Sequence, residues 1–115
     1  MRLFDSETAR FSPEFGALAS RWEHYGDLGH LPFGVMWCMV GPSGATTEDR
    51  HPERELITVA RGSGVVRTAS GELGVEAGQT VLLGSDEAHV ITNRSVTDPL
   101  VLLSIYWLPD VGGQQ

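Results

Sequence analysis

At 115 residues the chain can bury one hydrophobic core and not two, and with 41% hydrophobic and 20% charged residues its composition is ordinary for a globular domain. A formal charge of −7, with eight scattered arginines and no lysine, argues against autonomous nucleic-acid binding, which needs clustered basic groups. No apolar run is long enough to span a membrane, and Met1-Arg2-Leu3-Phe4-Asp5 lacks the apolar stretch of a signal peptide, so a cytoplasmic location is expected.

The first thirty residues read as an arm or short helix. Ser12-Pro13-Glu14 is a good helix start, with a capping hydroxyl and a proline at the first helical position. Phe15, Leu18, Trp22 and Tyr25 recur at helical spacing, and Gly26 is a stop. Gly16 argues the other way, and an extended arm packed on the domain or on a second subunit is the alternative. Either way residues 1–30 supply apolar cover.

From residue 31 to 108 the pattern changes. Short apolar segments predict strands near 33–40, 46–51, 54–61, 63–68, 71–75, 79–83, 88–94 and 100–107. Gly41-Pro42-Ser43-Gly44, Gly62-Ser63-Gly64, Gly71 and Gly84-Ser85-Asp86 mark the turns between them. Many short, evenly spaced strands indicate an all-β sandwich or barrel, with Ile57, Val59, Val81, Leu83 and Ile91 lining its interior. Residues 109–115 read as a disordered tail. A barrel this small has exposed edges, so a homodimer or a stable heteromer is expected.

Chemistry concentrates in Asp49-Arg50-His51-Pro52-Glu53-Arg54-Glu55 and, later, His89. Alternate residues of a strand share a face, so Asp49 and His51 point the same way. A tight turn at 52–54 returns Glu55 to that interior, and His89 opens a strand after the turn at 84–88. Two imidazoles with one or two carboxylates form a site for one divalent first-row metal ion. Zinc suits such nitrogen and oxygen donors best; iron(II), manganese and nickel are the other candidates. Cys38 lies in the apolar run Val35–Val40 and reads as a buried inert thiol; it is the single cysteine, which excludes an internal disulfide.

These residues resemble the two motifs of the cupin superfamily. The first is matched by Gly44-x4-Asp49-x-His51-x3-Glu55-x6-Gly62, the second by Gly78-x5-Gly84-x-Asp86-x2-His89-x3-Asn93. The resemblance covers roughly 33–107 and implies a jelly-roll-like antiparallel barrel (a double-stranded β-helix). It implies a metal on His51, Glu55 and His89, with Asp49 in the place of the family's first histidine. Gly84 and Asp86 stand for the family's turn proline and glycine, and both are turn formers.

A narrower set is similar to the zinc-binding cupin units that pair with methionyl-tRNA-synthetase-like modules in hydrazine-forming enzymes. It comprises Pro32-Phe33-Gly34, Trp37-Cys38, Val40-x-Pro42-x-Gly44, Glu53-x-Glu55 and Leu103-x-Ile105-x-Trp107. That resemblance implies N–N bond formation, by rearrangement of an amino-acid ester of an N-hydroxylated amine, and a synthetase-like partner. A non-catalytic binding module, an iron(II) dioxygenase and a metal-dependent isomerase are the alternatives, each with a small polar ligand or substrate.

The remaining polar and aromatic residues have plainer readings. His24 and His30 lie outside both motifs, and Arg50, Glu53 and Arg54 read as solvated turn charges. Asn93 reads as a strand-end hydrogen-bonder, and Arg61 and Arg67 as exposed strand charges. Trp37, Tyr106 and Trp107 are aromatic residues that could wall a pocket.

Overall fold

The computed structural model describes residues 1–109. Among these the chain forms strands β1 (Ser12–Glu14), β2 (Ala17–Arg21), β3 (Gly34–Val40), β4 (Arg54–Arg61), β5 (Ser63–Thr68), β6 (Gly71–Glu76), β7 (Thr80–Leu83), β8 (His89–Asn93) and β9 (Leu100–Trp107). They make a six-stranded sheet, in the order β1-β2-β3-β9-β4-β7, and a three-stranded sheet, β6-β5-β8. Every strand pairing described is antiparallel, and the fold is an all-β jelly-roll barrel.

Period-two alternation builds the interior. On β4, Glu55, Ile57 and Val59 are buried while Leu56 and Thr58 are half-exposed. Ile57, Val59, Leu83 and Ile91 join one buried cluster, with Val81 packed against it. The expected tail, residues 109–115, lies outside the described residues apart from residue 109.

Two expectations need correction. Residues 12–21 form a β-hairpin packed on the barrel, in line with the extended-arm alternative and not with the helix. Its two-residue loop is Phe15-Gly16, both at positive φ (39° and 78°), the turn that matches the twist of a hairpin. β2 then extends the large sheet by pairing Leu18–Arg21 with Met36–Met39 of β3. That pairing buries Ala17 and Ala19 on alternate positions, and it outweighs the helical spacing of the larger residues. Helical geometry is confined to a 3-10 turn, Trp22–Tyr25, closed by Gly26 at φ 79°.

The second correction concerns 46–51, which is extended without being a strand. Its backbone bonds alternate between two neighbours: Thr46 N donates to Ile91 O, Thr47 N to Phe15 O, and Asp49 N to His89 O. A segment shared in this way makes isolated bridges, Ala45 with Thr92 and Asp49 with His89, and no continuous ladder.

Asn93, 3% exposed, ties the end of the barrel together. Its Nδ2 lies 2.8–3.1 Å from the carbonyls of Val40, Gly41 and Asp98, and its Oδ1 accepts from Ser95 N at 2.9 Å. Asn93→Ala leaves buried acceptors and an N–H without partners. It is expected to cost about 2–4 kcal/mol in denaturant unfolding, with metal content unchanged.

Candidate metal centre

Three segments, 46–51, β4 and β8, bring the chemistry-bearing side chains to one end of the barrel. Asp49 and His89 face each other across an antiparallel bridge, each N–H donating to the other's carbonyl at 3.1 and 2.9 Å. Directly opposed residues hold their side chains on the same side of the pair. Glu55 is the second residue of β4 and points inward, and His51 precedes the short turn that leads to it. Donor atoms of Asp49, His51 and His89 all lie within 4.8 Å of one another, a group that can hold a metal ion. Glu55 stands beside this group. Its Oε1 is 3.1 Å from His51 Nε2 and 3.8 Å from His89 Nε2. Glu55 and His89 are buried, His51 is half-buried and Asp49 is exposed.

The hydrogen bonds behind these groups decide what they offer. His51 Nδ1 lies 3.0 Å from the Glu53 carbonyl, and His89 Nδ1 lies 2.8 Å from the Glu87 carbonyl. A carbonyl only accepts, so each Nδ1 carries a proton and each neutral ring presents an Nε2 lone pair. Glu55 Oε2 accepts from Ser104 Oγ, which leaves Oε1 to the two rings. With both rings neutral, two imidazole lone pairs and a carboxylate oxygen thus converge on one point. Such a set is balanced by a cation, and its donors suit a divalent first-row metal. Asp49 adds a second carboxylate from the open side; its Oδ1 also accepts from Arg50 N at 2.8 Å.

The pKa of His51 is raised. Burial is the largest single influence and lowers it, but the Glu55 charge, the Glu53 carbonyl, a hydrogen bond to Glu55 and the Asp49 charge together outweigh that. The carboxylates that would attract a metal therefore also attract a proton.

A cavity of about 240 Å³ adjoins the four residues. Met36, Ile57, Ile91 and Leu102 give it apolar walls, and Arg21 and Tyr106 line it as well. Cys38 also lines it; burial pushes its pKa up to about 12, so the thiol stays protonated at neutral pH. Burial likewise raises the phenol of Tyr106, against a lowering influence from Arg21.

Of the aromatic residues singled out in the sequence, Tyr106 borders this cavity. Tyr106 also borders a second hollow, with Trp107, Phe33 and Leu108, and Trp37 packs beside Trp22 with ring centroids 6.0 Å apart. Glu53, read as a solvated turn charge, lines the cavity. Ser104 and Arg21 were not legible as site residues. Ser104 did carry a signal: a hydroxyl on the inward register of an apolar strand.

A family model described as "Cupin domain" matches residues 36–106, more than half of the chain. Among solved structures, a Photorhabdus luminescens protein is 25% identical, over 97% of this chain and 88% of that one, with a TM-score of 0.80. A cupin 2 conserved barrel domain protein from Salinispora arenicola is 21% identical, over 97% and 91%, with a TM-score of 0.79. The polyketide cyclase RemF from Streptomyces resistomycificus is 18% identical, over 92% and 78%, with a TM-score of 0.76. The last two likenesses are of fold alone.

Proposed function

This chain belongs to the cupin domain family, and on that premise we propose that it is a metal-dependent enzyme, or enzyme domain, acting on a small polar molecule. His51, Glu55 and His89 hold one divalent ion, and Asp49 is the fourth ligand from the open side. The observation that carries this reading is the meeting of two Nε2 lone pairs with Glu55 Oε1, while both Nδ1 atoms are spent on backbone carbonyls. When bound, the ion supplies a Lewis acid that polarises a substrate oxygen or nitrogen.

The chain's own groups set the character of the site. The two carbonyls and Ser104 hold the ligand side chains in one orientation. The apolar walls exclude water from a ligand in the cavity. Asp49 and Glu55 together offset a divalent charge, so the site is a weaker electrophile than three imidazoles would make. Rearrangement, isomerisation or addition is favoured over hydrolysis. Zinc fits the donor set without a redox role, and iron(II) is the second choice.

Within this reading the finer assignment is N–N bond formation beside a synthetase-like partner. Its support is the set of short matches around Pro32, Trp37, Glu53 and Trp107. Co-purification with such a module and detection of a hydrazine product test it; failure there leaves the metal reading intact.

Asp49→Asn tests the ligand set. It removes charge and keeps shape, and direct coordination predicts an affinity for zinc at neutral pH lower by about tenfold or more. Unchanged affinity in a competition titration makes Asp49 a bystander. The site is then a two-histidine, one-carboxylate triad, and iron-dependent oxygen chemistry moves to the front.

A further inference from the structure

We propose that Tyr106 is a ligand-binding residue of the cavity: a hydrogen-bond donor, held in position by Gly34 and Arg21, for an oxygen acceptor on the small molecule that the metal centre receives. This rests on the metal reading above. Tyr106 lies two residues beyond Ser104 on β9 and directly opposite Glu55 on β4, so all three side chains share the inner face of the sheet. On its other side the partner on β3 is Gly34. A Cβ at Gly34 would fall within the ring of Tyr106, so the absence of a side chain lets the phenol lie across the strand.

Arg21 fixes the end of that ring. Its Nη1 donates to Tyr106 Oη at 2.6 Å. Its Nε and Nη2 are taken by Glu14 at 2.8–3.1 Å, which prevents the guanidinium from turning away. A guanidinium has no acceptor, so the phenol oxygen must accept here and keeps its own O–H to give. The acceptor recorded near it among the described residues is Glu23 Oε1 at 3.5 Å, the outer limit of a hydrogen bond. Arg21 and Tyr106 line the same cavity as Asp49, His51, Glu55 and His89. A donor polarised from behind by a cation and lacking a firm acceptor is suited to a carbonyl, alkoxide or similar oxygen on a bound molecule.

The test uses the zinc-loaded full chain and two probes. Acetohydroxamate brings oxygen donors to a metal and offers them to a neighbouring O–H. Imidazole brings one nitrogen and no oxygen. Tyr106→Phe keeps the ring over Gly34 and loses only the hydroxyl. It is expected to hold zinc as the wild type does, to bind acetohydroxamate about tenfold or more weakly, and to bind imidazole unchanged. Gly34→Ala keeps the hydroxyl but displaces the ring, and is expected to show the same selective loss.

Three results overturn the proposal: acetohydroxamate binding unaffected by Tyr106→Phe, equal losses for the two probes, or no acetohydroxamate binding by the zinc-loaded wild type. A wild-type chain that takes up no zinc overturns the metal reading and this one together. The three results above overturn this one alone.

Discussion

His89→Ala and His51→Ala are each expected to strip the purified chain of a metal that the wild type carries at about one ion per chain. Each removes one of the two ring nitrogens that meet Glu55 Oε1. Loss of a group that merely orients a ligand already costs a metal site about 10–100-fold in affinity. Loss of a ligand itself should exceed that, and occupancy after dialysis should fall close to zero. His89 is buried on β8, so truncation to alanine also leaves a void. His89→Gln, nearer in volume, separates the two effects: with chelator present it should unfold close to the wild type, while still losing metal when none is added. His24→Ala is the control, since His24 lies on the 3-10 turn outside the metal-ligating group. Elemental analysis of each protein decides the matter. A wild type without metal after reconstitution, or a His89→Gln chain that keeps it, sinks the assignment.

The parts of this molecule legible in its sequence are those where one physical rule acts alone. Alternation along Leu56–Val59 has a single periodicity, and it gave both the strand and its inward face. The meeting of Asp49, His51, Glu55 and His89 at one place was legible because two imidazoles and two carboxylates fell in motif register. Where two rules competed, the weaker-looking one sometimes won. Phe15, Leu18, Trp22 and Tyr25 have helical spacing, but Phe15-Gly16 makes a tight hairpin loop and Ala17 and Ala19 fit beneath a neighbouring strand. That contest is settled by β3, some twenty residues away, and no local window contains it. Arg21 was hidden for the same reason. It reaches the cavity only because β2 pairs with β3 and so comes within reach of Tyr106, 85 residues further along the chain.

Chelation at neutral pH is expected to lower the melting temperature of the wild type by about 10 °C. An ion that binds only the folded chain adds about 2.7 kcal/mol at a hundred times its dissociation constant, and each kcal/mol moves the midpoint of a domain this size by roughly 3–6 °C. The stabilisation should shrink as the pH falls, because ligand nitrogens and oxygens must shed protons to bind. Glu55→Gln sharpens the test by reversing sign. Glu55 is an acidic side chain only 5% exposed, with two ring nitrogens in front of it. A buried charge of this kind is costly without a cation. The amide of glutamine carries no charge, can still accept from Ser104, and can give an N–H to a ring nitrogen. With chelator present, at a pH high enough to keep His51 neutral, the variant should therefore melt at or above the wild type; with zinc present it should melt well below. Parallel melting curves for the two proteins in both conditions would mean that Glu55 is not a ligand. An equal loss in both conditions would mean that its role is in packing alone.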